Sequence, residues 1–257
     1  MRIIFTGSYA PPRRFNYLLG LALFVLSILL DFSGYILRWD QGIQWALVLA
    51  TNLIKTIPTI GNMLYAALTG GTQIGAPTLL RFFSWHIFGL TMILVILIGW
   101  HAFRVRRDGG IAIPPASLRI HNERITRGEL VGREILAMLY TASALILLSI
   151  FFQPPIATPI NLTESGFVSE NLSRAPWFFL WIQTMLKWGE PLAWGVAIPI
   201  IFLTILGTIP YLFPQPSGHE LGNWFPKSNR LAQSIMALIA LCVVILTLLA
   251  LFPGLKQ

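Results

Sequence analysis

Five uninterrupted apolar stretches dominate this sequence, near Tyr17–Leu37, Trp85–Val105, Ile135–Phe152, Pro191–Phe213 and Leu231–Leu251. At about 1.5 Å of rise per residue, each is long enough to cross a ~30 Å hydrocarbon core. Lipid offers backbone polar groups no partners, so each stretch is predicted to be a helix. The expected fold is therefore an all-α integral membrane protein with about five transmembrane helices. Only 11% of the residues are charged and 55% are hydrophobic, whereas a soluble domain carries about 25% charged residues. That excludes a cytosolic enzyme, a nucleic-acid-binding domain and a disordered tail. The single cysteine, Cys242, lies inside an apolar run, which removes disulfide frameworks and Cys-based metal sites.

The charges say which way the spans run. Arg2, Arg13 and Arg14 precede the first span, and Arg104, Arg106, Arg107, Arg119, Arg124, Arg127 and Arg133 lie between the second and third. Lys227 and Arg230 lie between the fourth and fifth. The other face keeps only Arg38, Lys55, Arg81, Arg174, Lys187 and Lys256. The positive-inside rule then predicts a cytoplasmic amino terminus and a carboxyl terminus on the opposite, p side of a cell inner membrane. The net charge of +8 is mainly this topology signal, not a nucleic-acid footprint. Arg13-Arg14-Phe15 imitates a twin-arginine export signal, but the following run is span-length and no small-residue cleavage site follows.

Two p-side connections are long. Between the first two spans, Ile43–Lys55 and Gly61–Leu68 look like short helices outside the membrane core. Between the third and fourth, Pro154, Pro155, Pro159 and Pro176 forbid a continuous helix. The chain thus divides into residues 1–16, a cytoplasmic linker-like segment, and 17–107, with two spans and a long p-side loop. Residues 108–134 form a second cytoplasmic linker, and 135–257 a three-helix part.

Of four histidines, His86 and His101 fall in one span. Fifteen helical residues advance about 22 Å and return to within about 60° of the same face. A lone intramembrane histidine commonly bonds to a neighbouring helix. Two on one face, at opposite ends of a span, also suit axial ligation of two stacked haems. Gly20 and Gly34, fourteen residues apart in the first span, admit two readings as well: close helix packing, or room for a flat porphyrin.

Here the residues resemble a known family. Gly34-Tyr-Ile-Leu-Arg-Trp-Asp-Gln41 looks like the Gly-Tyr-x-Leu-Pro-Trp-Asp-Gln ending helix C of cytochrome b in quinol:cytochrome c (or plastocyanin) oxidoreductases. Leu80-Arg-Phe-Phe-Ser-Trp-His86, followed by His101-x-x-Arg104-Val-Arg, resembles helix D with its two haem ligands. Their 15-residue spacing is that of the chloroplast and cyanobacterial branch. Phe5-Thr-Gly-Ser-Tyr9 and Pro12-Arg13 resemble the linker between helices B and C, and three further spans fit helices E, F and G.

The resemblance implies two b haems, with His86 and His101 as iron ligands, Gly20 and Gly34 beside them, and Arg81 offsetting propionate charge. Arg104 and Arg107 serve the other haem or a quinone pocket, or act only as topology determinants. The family's helices A and B have no counterpart, and helix B carries the other two ligands. His121 and His219 lie in cytoplasmic loops. A second cytochrome b-type chain with two intramembrane histidines is therefore expected to complete the haem bundle.

The family's Pro-Glu-Trp-Tyr aligns with Ala175-Pro-Trp-Phe178. Pro176 replaces the glutamate that takes a proton from quinol, and Phe178 lacks the tyrosine hydroxyl. Pro176, Trp177 and Phe178 would still wall a quinone pocket. Among p-side acids Asp40, Glu164, Glu170 and Glu190, Asp40 is best placed by the family's motif to accept the proton, its bland alternative being a solvated acid at a helix end. Asp31, inside the first span, is expected to relay protons, pair with Arg38 or Arg81, or snorkel to the interface.

The function implied is a membrane subunit of a quinol-linked electron-transfer complex. It would pass electrons between quinone and periplasmic partners such as a Rieske iron-sulfur protein or a c-type cytochrome. The alternative is a haem-free structural or quinone-binding anchor. A transporter is disfavoured because the spans show no inverted repeat.

Overall fold

The computed structural model describes residues 1–110, 126–152 and 175–252. Arg119, His121, Arg124, Pro154, Pro155, Pro159, Glu164, Glu170, Arg174 and Lys256 lie outside them. Among the described residues every regular element is helical. A short turn, α1 (Arg2–Phe5), precedes α2 (Arg14–Ile36), α3 (Gln41–Lys55) and α4 (Gly61–Thr69). Then follow α5 (Ala76–Arg107), α6 (Arg127–Phe151), α7 (Leu180–Met185), α8 (Leu192–Leu212) and α9 (Lys227–Leu251). Helices α2, α5, α6, α8 and α9 are long and apolar enough to cross a membrane, which matches the five expected spans. The chain divides into two compact units. Within the described residues one unit holds α6, and the other holds all the remaining helices.

Helix α5 starts nine residues before the apolar run at Trp85. Pro77 sits in its first turn, where a missing N–H costs nothing. The Gly75 N–H donates to Thr78 Oγ1 at 3.1 Å, and that hydroxyl donates to the Thr69 carbonyl at 2.6 Å. Those bonds tie the start of α5 to the end of α4.

Helix α8 contains two prolines and stays continuous. The wider π turn over Leu192–Ala197 precedes Pro199 and relaxes the turn its ring would otherwise crowd. Pro210 cannot donate to the carbonyl of Leu206, and the Tyr17 hydroxyl of α2 donates there instead, at 2.8 Å. Opposite Gly195, a Cβ would meet Leu53 Cδ1 at 2.5 Å, so α3 and α8 touch closely where glycine leaves room for the leucine.

The amino-terminal segment is fastened to the turn before α9. The Phe225 N–H donates to the Phe5 carbonyl and the Gly222 N–H to that of Thr6, at 2.8 and 3.0 Å. The Tyr9 hydroxyl donates to Asn229 Oδ1 at 2.6 Å, and Asn229 Nδ2 donates to the Ile4 carbonyl at 2.7 Å. Ile4, Tyr9, Ile209, Ala232 and Met236 form the buried cluster beneath. On the same end, Arg13 Nε donates to the Gly110 carbonyl at 2.8 Å. Within this unit, one end of the helices therefore gathers Arg2, Arg13, Arg14, Arg104, Arg107, Lys227 and Arg230.

Candidate haem and quinone sites

Helices α2 and α5 pack along their lengths, and the glycines of one meet the histidines of the other. A Cβ on Gly34 would stand 2.7 Å from His86 Cε1, inside any allowed contact. A Cβ on Gly20 would meet His101 Cε1 at 3.4 Å. The two residue pairs predicted separately from spacing therefore form two matched levels.

His86 sits where α5 widens into a π turn, Trp85–Gly89, a feature often associated with functional positions. The Thr91 hydroxyl donates to the His86 carbonyl. Ser33 Oγ lies 2.9 Å from His86 Nδ1 and also 2.9 Å from the Leu30 carbonyl. A hydroxyl has one proton, and a carbonyl can only accept. The Ser33 proton thus goes to Leu30, and its oxygen accepts from Nδ1–H. Nε2 is left with the lone pair, the tautomer a metal ligand needs.

His101 borders a cavity of about 510 Å³ lined also by Gly20, Asn16, Tyr17, Phe24 and Arg13. Its Nδ1 is buried and, among the described residues, has no hydrogen-bond partner. A buried imidazole beside a glycine that brings no side chain is a donor set that fits a flat metal-bearing ring. Arg104, one turn further along, lies with Nε 3.4 Å from Asp108 Oδ2 and its guanidinium over the Phe15 ring at 4.9 Å. Arg107 Nε donates to the other Asp108 oxygen at 2.9 Å. Asp108 follows the span among arginines, and its burial gives it this bridging place.

A groove of about 570 Å³ lies toward the opposite end, lined by Asp31, Tyr35, Ala175, Pro176, Trp177 and Phe178. Its loop wall is held by the Ala175 N–H donating to Gln183 Oε1 at 3.0 Å and Trp181 Nε1 donating to the Phe178 carbonyl at 2.9 Å. Phe179 meets Phe32 of α2 edge-on, at 5.5 Å between ring centres. That contact lays the loop across the helix between Asp31 and Tyr35.

Asp40 is placed elsewhere. It is 4% exposed, caps α3 by accepting from the Ile43 N–H at 3.1 Å, and binds Arg38 Nη2 at 2.5 Å. It does not line the groove. Asp31 pairs with neither expected arginine: Arg38 is taken by Asp40, and Arg81 reaches back to the Ala67 carbonyl at the end of α4. Arg81 precedes His86 on α5 but is outside both cavities. Ser33 is the contributor that sequence reasoning missed; a hydroxyl next to Gly34 within an apolar span was its signal. His219 is exposed in the turn before α9 and is not among the residues lining the His101 cavity.

Comparison with known proteins points one way. The family described as cytochrome b (N-terminal)/b6/petB matches residues 1–162. A cytochrome b of Chlamydomonas reinhardtii is 28% identical over 215 residues, covering 82% of this chain and 55% of that protein. A cytochrome b of Dictyostelium discoideum is 28% identical over 220 residues, covering 82% and 54%. The chain thus spans about half the length of these curated relatives. A solved structure titled "Hyperthermophilic respiratory Complex III" shares the fold, with a TM-score of 0.64 at 19% identity, over 97% of this chain and 73% of the other.

Proposed function

The chain belongs to the cytochrome b (N-terminal)/b6 family, and on that premise we propose that it is a haem-carrying membrane subunit of a quinol-linked electron-transfer complex. The facing of Gly34 with His86 and of Gly20 with His101 carries this reading. Each level offers one imidazole nitrogen and one side-chain-free helix face, which is what a flat macrocycle with an axial ligand requires. A b-type haem bound at each level would supply a one-electron centre whose potential the axial ligand helps set.

His86, with its ring oriented by Ser33, would hold one haem, and His101 at the arginine-rich end would hold the other. Arg104, one turn from His101, would balance anionic charge at that level, whereas Arg81 is held at the end of α4. No other histidine among the described residues faces either one. In this reading the second ligand of each haem is supplied by a second cytochrome b-type chain with two intramembrane histidines about four turns apart. By the positive-inside rule the arginine-rich end faces the cytoplasm, in a cell inner membrane.

The groove walled by Pro176, Trp177 and Phe178 receives quinol on the p side, and Asp40 fixes Arg38 at the end of α2 nearby. Electrons leave to a p-side carrier of the iron-sulfur or c-type haem class. The competing reading is a haem-free anchor in which both histidines only pack.

Haem b spectra of the purified complex separate the two. His86→Ala and His101→Ala should each remove one of two b-type signals while leaving the other. Haem content unchanged in both variants would end the ligand assignment and favour the anchor.

A further inference from the structure

The groove beside the loop poses a chemical problem that its loop wall does not solve. Quinol must lose protons as it is oxidised, and Ala175, Pro176, Trp177 and Phe178 carry no group that accepts one. The opposite wall is α2, and its contribution is Asp31 and Tyr35, one turn apart on the same helix face. Among the described residues, Asp31 is the single carboxylate lining the groove.

Its surroundings leave it available. Asp31 is exposed, and among the described residues it forms no ion pair. The neighbouring charges are committed elsewhere. Arg38 stacks on the Tyr35 ring at 5.4 Å and binds Asp40. Arg81 of α5 is turned toward α4, and His86 Nδ1 is occupied by Ser33. Asp40, the acid favoured by motif alone, is engaged by Arg38 and the α3 cap. The position along α2 is also apt. Asp31 lies three residues, about 4.5 Å of helix rise, from the level where Gly34 meets His86. A molecule in the groove would touch the carboxylate while lying beside the first redox level.

We propose that Asp31 is the proton acceptor for quinol in this groove, taking over from across the pocket the task that the loop residue Pro176 cannot perform. The step is a proton transfer. The quinol O–H bond breaks, its proton bonds to an Asp31 carboxylate oxygen, and a quinolate anion remains, now easily oxidised by the p-side one-electron carrier named above. The protonated Asp31 then releases its proton to p-side water through the open mouth of the groove. Tyr35 positions the ring by hydrogen bonding from one turn away. This proposal rests on the groove being a quinol pocket.

The test uses the intact complex in membranes and a short-chain quinol. Steady-state rate and its pH profile are measured for wild type, Asp31→Asn, Asp31→Glu and Trp177→Ala, with haem spectra as the check on assembly. The side chain is exposed, so the isosteric Asn should assemble normally. Asp31→Asn should lower kcat at least 10-fold near pH 7, within the range a positioned base contributes, and flatten the acidic limb of the pH profile. Asp31→Glu should restore most of the rate. Asp31→Asn with wild-type rate and pH profile, while Trp177→Ala is impaired, would overturn the role of Asp31 and leave the pocket standing. If neither variant affects quinol oxidation, the groove is not the quinol site and both readings fall.

Discussion

The Tyr17 hydroxyl donates to the Leu206 carbonyl at 2.8 Å, the one carbonyl in α8 that Pro210 leaves without its helical donor. The bond ties the first span to the fourth. It also explains how a proline near the end of an apolar helix is tolerated: the freed acceptor finds a partner on a neighbouring helix.

Tyr17→Phe should therefore cost about 1 kcal/mol, since Pro210 denies the carbonyl its usual helical donor. Denaturant titration in detergent, followed by tryptophan fluorescence, would measure it. Tyr65→Phe, whose hydroxyl makes only a 3.4 Å contact to the Thr72 carbonyl, should cost less. Equal losses would mean the Leu206 bond contributes nothing special.

The glycine faces should differ in tolerance. A Cβ at Gly34 would come within 2.7 Å of His86, against 3.4 Å between Gly20 and His101. On the proposed ligation, Gly34→Ala should displace the imidazole and remove the haem signal assigned to His86, whereas Gly20→Ala should leave the haem assigned to His101 bound with a shifted potential. Redox titration of the b-type absorbance in both variants checks the order.

Ser33 should act through His86. Ser33→Ala removes the acceptor that fixes the ring tautomer, and such outer partners are worth roughly 10–100-fold in affinity at metal sites. The expected result is a weakened or spectrally heterogeneous first haem with the second unaffected. Ser33→Thr, which keeps a hydroxyl, should recover most of the signal; equal loss in both variants would point to packing instead.

Tyr9 gives a pH dependence outside the spans. Burial pushes its phenol up to about 12, partly opposed by the hydrogen bond to Asn229. A group raised on folding stabilises the fold fully below its unfolded value of about 10. That contribution is lost as pH rises from there toward about 12. Wild-type melting temperature should fall more steeply between those values than that of Tyr9→Phe. Parallel curves would show that another group governs alkaline unfolding.

The two histidine levels were largely legible from spacing alone. A 15-residue interval on a helix fixes both the face and the separation, and Gly20 and Gly34 follow the same arithmetic one residue short. The loop motif was legible only in part. Its sequence showed that Pro176 cannot titrate, but not which acid stands opposite. Motif position favoured Asp40, yet its neighbours Arg38 and the Ile43 N–H had first claim on that carboxylate. The start of α5 was also obscured, because Ala76–Ser84 is polar enough to end an apolar run while its capping bonds keep it helical.

Local sequence determined the five spans and placed both histidines on one helix, because hydrophobic length and the 3.6-residue period act within a single segment. Its charge pattern supplied the expected orientation. What the tertiary structure decided are relationships between segments far apart in the chain. Phe179 lies on Phe32 and brings Asp31 to the loop; Ser33 selects the nitrogen that His86 offers; Tyr17 answers the carbonyl that Pro210 frees. Each depends on the rotation of one helix against another, which side-chain packing sets and no single segment encodes.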